Sequence, residues 1–120
     1  MCGLVTVAEL QQIFGFSPIT AQVIAGPPDT CDIQHNDAPT AALVYTPTGG
    51  GRVYSVLATG ADAKAVSGIG DGAFYSDETK LLVVSKGDAM LSIAVYDVDL
   101  TEGQQQALQK EIGKVAAGRM

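Results

Sequence analysis

The chain has one histidine, His35, with Asp32 three residues before it and Asp37 two after it. Histidine beside carboxylates is the raw material of a metal site or of a general base steadied by an acid. The spacing works against that use. Along a strand, residues three apart point to opposite faces, so Asp32 and His35 would not share a metal without distortion. No serine or cysteine nucleophile can be placed beside the ring. A strand end or surface loop accounts for the group, so no catalytic residue and no metal ligand is assigned here.

Two other stretches carry partial motifs. Asp97-Val98-Asp99-Leu100-Thr101 begins like a calcium loop, but Glu102 stands where the sharp-turn glycine belongs and Leu108 where the closing glutamate belongs. A strand end followed by a helix cap explains it better. Gly68-Ile69-Gly70-Asp71-Gly72 has the glycines of a phosphate loop but lacks its Lys and Ser/Thr and the long helix whose N-terminus would hold the anion. These glycines read as a tight connection with positive φ at one or more of them, delivering Ala73, Phe74 and Tyr75 toward the core. No cofactor is implied. Tyr45, Tyr54, Tyr75 and Tyr96 are either half-buried on a sheet or part of a recognition face. Tyr45, Tyr54, Tyr96 and His35 are the candidate binding surface.

Cys2 and Cys31 are the only cysteines. An even count in a small chain suggests one disulfide if the compartment is oxidising. Closing a loop of that length would contribute roughly 3–4 kcal/mol on the chain-entropy account. Two buried free thiols and a lipidated Cys2 are the other readings. Lipidation would want a box of small residues before the cysteine and a flexible tether after it, where this sequence has Met1 and the start of a helix. The chain as written carries no export segment, so it is either cytosolic or processed.

At 120 residues and 47% apolar composition, the chain reads as one globular domain, residues 1–120. No apolar run reaches the length of a membrane span. The net charge of -6 speaks against nucleic acid and anionic membrane surfaces as partners. No Lys or Arg precedes Arg52, whereas Glu9, Asp29, Asp32 and Asp37 do. That acidic first part serves solubility or faces a cationic partner.

The elements follow from local signals. Thr6 and Glu9 form a capping box. Val7, Leu10, Ile13 and Phe14 then share one helical face, and Gly15 closes the helix. Strands are expected over Ile19 to Ala25, Cys31 to His35 and Ala41 to Thr46, with a turn at Gly26-Pro27-Pro28-Asp29. Thr48 to Gly51 reads as a mobile loop. Arg52 to Ala58 reads as a strand, because Val53, Ser55 and Leu57 alternate with Tyr54 and Val56; a helix is the alternative. Asp62 to Val66 reads as a helical turn. Lys80 to Ser85 and Met90 to Tyr96 are strands joined by the two-residue turn Gly87-Asp88. Leu81 to Val84 is apolar on both sides, so that strand should be covered on both faces. Thr101 caps the last helix with Gln104 in the capping-box position. Leu108, Ile112, Val115 and Ala116 form its stripe, and Lys110, Lys114 and Arg119 suit its C-terminal end. The expected fold class is α+β: a single antiparallel β-sheet with N-terminal and C-terminal helices packed against it and close to each other.

Cys2-Gly3-Leu4-Val5-Thr6-Val7-Ala8-Glu9-Leu10 resembles the opening of a bacterial family of small exported lipoproteins of unknown function. Val66 to Tyr75 is similar to that family's Gly-x-Gly-Asp-x-Ala element, and a strand and Lys86-Gly87-Asp88 follow as they do there. The chain departs from the family in having Asp32 and Ile33 after the second cysteine, where an aromatic is usual. The resemblance implies a cell-envelope location, outside the cytoplasm, and a Cys2–Cys31 bridge. It implies no reaction. The expectation is a non-enzymatic cell-envelope binding or protein-interaction module. A carrier of a small apolar ligand or lipid between sheet and helices is the alternative, and an enzyme or enzyme inhibitor using His35 is the third reading.

Overall fold

A computed structural model describes residues 4–16, 18–25, 29–60, 63–96 and 100–120. The elements are α1 (Val7–Phe14), β1 (Ile19–Ile24), β2 (Asp29–His35), β3 (Ala38–Thr46), α2 (Gly50–Leu57), β4 (Ala63–Val66), β5 (Gly72–Ser76), β6 (Leu82–Lys86), β7 (Ala89–Val95) and α3 (Glu102–Ala117). The seven strands form one sheet in the order β1-β2-β3-β7-β6-β5-β4, and every neighbouring pair is antiparallel. The fold is therefore α+β, built on one antiparallel sheet, with a third helix in the middle of the chain.

Caps and turns set the boundaries. Thr6 and Thr101 both complete capping boxes, with Glu9 and Gln104 respectively. Gly15 ends α1 in the left-handed conformation, its N–H donating to the Gln11 carbonyl. The β6–β7 turn has Gly87 at φ 59°, as a primed type II turn requires at its first central residue. The β2–β3 turn was not anticipated. Asn36 and Asp37 both take positive φ, the pattern of a type I′ turn, and these two residues tolerate it best after glycine.

One face of the sheet carries the main core. Leu10 of α1 and Ile112 and Ala116 of α3 pack over Ile33, Leu82, Leu91 and Ile93. The two terminal helices touch, and Arg119, just past α3, forks onto the Glu9 carboxylate at 2.6 and 2.7 Å while also donating to the Leu4 carbonyl. That pairing, absent from the sequence reading, holds the Glu9 carboxyl at about 2, chiefly through the hydrogen bond from Arg119 and then that from the Thr6 amide. Gln109, also unanticipated, is buried in α3. Its amide donates at 2.9 Å to the carbonyls of both Lys80 and Ile93, tying the helix to the sheet.

Two expectations are corrected. Arg52 to Ala58 is mostly helix α2, and Ala63 to Val66 is strand β4 rather than a helical turn. The cause is topological. Four successive antiparallel pairings separate β3 from β4, so these strands run parallel, and parallel strands need a crossover. The chain must leave β3, pass over β7, β6 and β5, and enter at the far edge. The crossover is α2, and the expected loop at Thr48 to Gly51 is its start. Asp62 and the turn residues Gly26, Pro27 and Pro28 lie outside the described residues, as do Asp97, Val98 and Asp99 of the calcium-like stretch.

Candidate functional site

Helix α2 lies on the face of the sheet opposite α1 and α3, and glycines let it lie close. Gly49 caps it at φ 79°. A Cβ at Gly50 would stand 2.5 Å from the Met90 amide nitrogen, so only glycine fits against the β6–β7 hairpin. The hairpin holds the helix start: Gly51 donates to the Asp88 carbonyl at 3.1 Å, and Gly49 to the Asp88 carboxylate at 2.8 Å. One turn on, the Tyr54 ring tilts against Phe74 with centroids 5.3 Å apart. Its partial burial raises the phenol pKa. Phe74, Val83 and Met90 form a small second core beneath it.

Gly50, Gly51 and Tyr54 take up the inward side of the helix. Its apolar residues are thus left outside. Val53, Val56 and Leu57 stand at i, i+3 and i+4, one stripe of a helix, and are 45%, 69% and 46% exposed. Arg52 beside them makes no hydrogen bond or ion pair among the described residues. An apolar stripe turned to solvent is the unusual feature here, since single exposed apolar residues need no explanation but contiguous ones do. The sequence reading missed it because the same residues fit strand alternation. The available signal was Gly49-Gly50-Gly51 ahead of an i, i+3, i+4 pattern.

Among the described residues, α2 is the helix that packs on this face, on its β6–β7 side. One row of side chains crosses the whole sheet: Ile24, Thr30, Val44, Ser92, Val83, Phe74 and Ala65 are successive register partners. Val83, under α2, is 3% exposed, and Ile24 at the β1 edge is 49% exposed. The neighbouring row is Gln22, Asp32, Ala42 and Ala94. Its Asp32 has no hydrogen bond or ion pair among the described residues. Ala42 and Ala94 of that row are buried among their neighbours, whereas Gln22 and Ile24 at the β1 edge are exposed.

The four expected binding residues do not gather. Tyr54 belongs to α2, and Tyr96, half exposed, follows β7, its N–H on the Thr40 carbonyl. Tyr45 packs against the opposite, main core. His35 is at the end of β2, its ring against Phe16 at 4.2 Å and its Nδ1 2.8 Å from the Pro18 carbonyl oxygen. Its register partner is the core residue Ile19, whereas Asp32 pairs with Gln22 and Ala42. His35 thus ties the α1–β1 connection to β2. Among the described residues, no three of His, Cys, Asp and Glu come together as metal ligands. Cys31 is buried on β2, and no free cysteine stands among the described residues; Cys2 lies outside them.

The glycine loop shapes the chain. Gly68 and Gly70 have positive φ, and a Cβ at Gly70 would meet the Ser85 carbonyl oxygen at 2.5 Å. Asp71 accepts from the Gly87 amide at 2.7 Å, and Ala73, Phe74 and Tyr75 follow as buried residues of β5. A polar cleft of about 310 Å³ lies between this loop and the end of α3, with Asp71, Lys86 and Lys114 in its lining. Two of these charges already serve the fold, since Lys86 donates to the Ala117 carbonyl and Asp71 holds the hairpin. Among the described residues, no helix is long and apolar enough to cross a membrane. In comparison with known proteins, the chain matches no protein-family model, no curated protein and no solved structure.

Proposed function

We propose that this chain is a non-enzymatic interaction module that binds a protein through the α2 face of its sheet. The observation that carries the reading is the Val53–Val56–Leu57 stripe, held outward by a helix whose inward side is used up by Gly50, Gly51 and Tyr54. Among the described residues no three of His, Cys, Asp and Glu come together, Glu9 serves a helix cap and Asp71 a turn, and His35 ties a connection to β2, which supports binding over chemistry. The space between the sheet and the terminal helices is filled by Leu10, Ile33, Leu82, Leu91, Ile93 and Ile112, which weighs against the apolar-ligand carrier.

The cell-envelope location and the Cys2–Cys31 bridge belong to the same proposal. Their support is the resemblance of the opening and of the glycine element to exported lipoproteins, together with the burial of Cys31. Intact mass of protein from an oxidising compartment should be about two daltons below its reduced value. Two alkylatable thiols there would exclude the bridge.

The contact surface is tested by a photo-crosslinking residue at position 56 in cells producing the chain. The expected result is an adduct of discrete mass that Val53→Asp with Leu57→Asp removes, and that a crosslinker at Glu111 on α3 does not give. No adduct at position 56 would overturn the reading.

A further inference from the structure

The sheet ends in β1 on one side and β4 on the other, and the two edges are finished differently. β4 is four residues long and presents Lys64, which pairs with Asp77. A short, charged strand is a guarded edge. β1 is six residues long and has neither a charge nor a proline, and its Val23 and Ile24 are 38% and 49% exposed. The register fixes which of its backbone groups are open. The Tyr96 N–H donates to the Thr40 carbonyl. Backbone groups alternate sides along a strand, so Ala94 also points its own toward β3, and its partner Ala42 toward β7. Leu43 then points to β2, its partner Cys31 to β3, Asp32 to β1 and its partner Gln22 to β2. Ala21 and Val23 are left with N–H and C=O directed away from the sheet. Ile19 agrees, since its N–H leaves the ladder and donates to the Gln11 side chain at 3.1 Å. That contact covers the start of the edge and leaves the stretch from Ala21 to Val23 open to an eighth strand.

Charge decides which kind of strand fits. Gln22 lies between the two open residues, and its side chain shares a face with that of Asp32, its register partner on β2. Asp32 is half-buried and has no hydrogen bond or ion pair among the described residues. No Lys or Arg occurs in β1, β2, β3 or β7, and Arg52 stands off at the β6–β7 hairpin. On an added strand, the residue opposite Gln22 places its side chain on this same face. It stands two strands from Asp32, roughly 10 Å between Cα atoms, a gap that a long cationic side chain spans across Gln22. A second copy of β1 would bring no cation to that place, only more acids on its own β2.

We propose that β1 is a docking edge for an extended basic segment of another protein. The segment adds as an eighth strand on the backbone groups of Ala21 and Val23, with a Lys or Arg opposite Gln22 directed at Asp32. This contact is separate from the α2 stripe and does not depend on it. The probe is a capped synthetic heptapeptide alternating valine and lysine, titrated into isotope-labelled protein and followed by NMR. The largest amide shifts should fall on Ala21 and Val23, and their hydrogen exchange should slow. The same peptide with glutamate in place of lysine should bind on the order of tenfold more weakly, and added salt should weaken the lysine peptide. Asp32→Asn should lower the affinity for the lysine peptide several-fold. Val23→Lys, which sets a like charge on the exposed edge, should lower it further with an unchanged far-UV circular dichroism spectrum. No shift at β1 with millimolar lysine peptide would overturn the proposal, and so would equal binding of the lysine and glutamate peptides. Indifference to Asp32→Asn would remove Asp32 as the charge partner and overturn the stated docking. Shifts at Ala21 and Val23 that grow with protein concentration alone would make a second copy the occupant and also overturn it. Loss of the crosslink at position 56 concerns α2 alone, so the two readings fail separately.

Discussion

The two faces of the sheet are built from similar residues and end in different states. On the side of α1 and α3, buried apolar side chains from six strands meet two helices, and Leu10, Leu91 and Ile112 are sealed from water. On the other side a single eight-residue helix covers the β5–β6–β7 end, and burial falls away along one row of register partners from Val83 to Ile24. Apolar content therefore does not decide burial. What decides it is whether the chain brings a second layer over a given strand, and here the crossover reaches only part of the sheet.

That contrast can be broken in five places. The largest effect should come from Leu91→Ala on the sealed face, which removes methyl groups where nothing can collapse and should cost about 2–5 kcal/mol. Urea denaturation measures it, and a loss below about 1 kcal/mol would mean that the two faces differ little. Gly70→Ala comes next. It puts a Cβ against the Ser85 carbonyl at positive φ and should cost on the order of 2 kcal/mol in the same assay. The fold-preserving fraction should keep its position-56 crosslink, whereas loss of the crosslink at unchanged melting temperature would make the loop a binding element.

Gln109→Leu keeps the bulk but strips two buried carbonyls of their donor, so a loss of about 1–3 kcal/mol is expected. Glu9→Gln has a smaller effect with a distinctive pH signature. The folded carboxyl sits at about 2 against an ordinary 4.5, so its contribution is complete above pH 4.5 and disappears as pH falls toward 2. The stability gap between wild type and Glu9→Gln should close over that window and shrink with added salt, since the pair is near the surface. A gap that stayed constant down to pH 2 would remove Arg119 as its cause. The smallest effect should be that of Val56→Ser on the stability of a single copy, within about 0.5 kcal/mol by thermal melts of dilute protein. A large loss would mean that α2 packs its stripe inward.

The local devices were legible in the sequence. Thr6 with Glu9 and Thr101 with Gln104 each place a side-chain acceptor and its reciprocal within one turn, so the caps need no tertiary context. The Gly87-Asp88 hairpin and the glycine connection are short-range in the same way. The site was less legible. Val53 to Leu57 satisfies both a period of two and a stripe at i, i+3 and i+4, and eight residues are too few to separate them. Asn36-Asp37 carries a weaker turn signal, because neither residue is glycine. Gln109 looked like one more polar residue on a polar helix.

The sequence alone determined which segments begin, turn and stop, and that the chain is acidic, apolar enough to fold and α+β. These follow from interactions between residues within about one helical turn of each other, and from composition. Tertiary structure decided the strand order, and with it that β3 and β4 run parallel. That order forced a crossover, made Arg52 to Ala58 mostly helical instead of extended, and left its apolar stripe outside. It also brought Arg119 to Glu9 across 110 positions. Pairings at such separation depend on which strands end up as neighbours, and no local pattern of side chains encodes that choice.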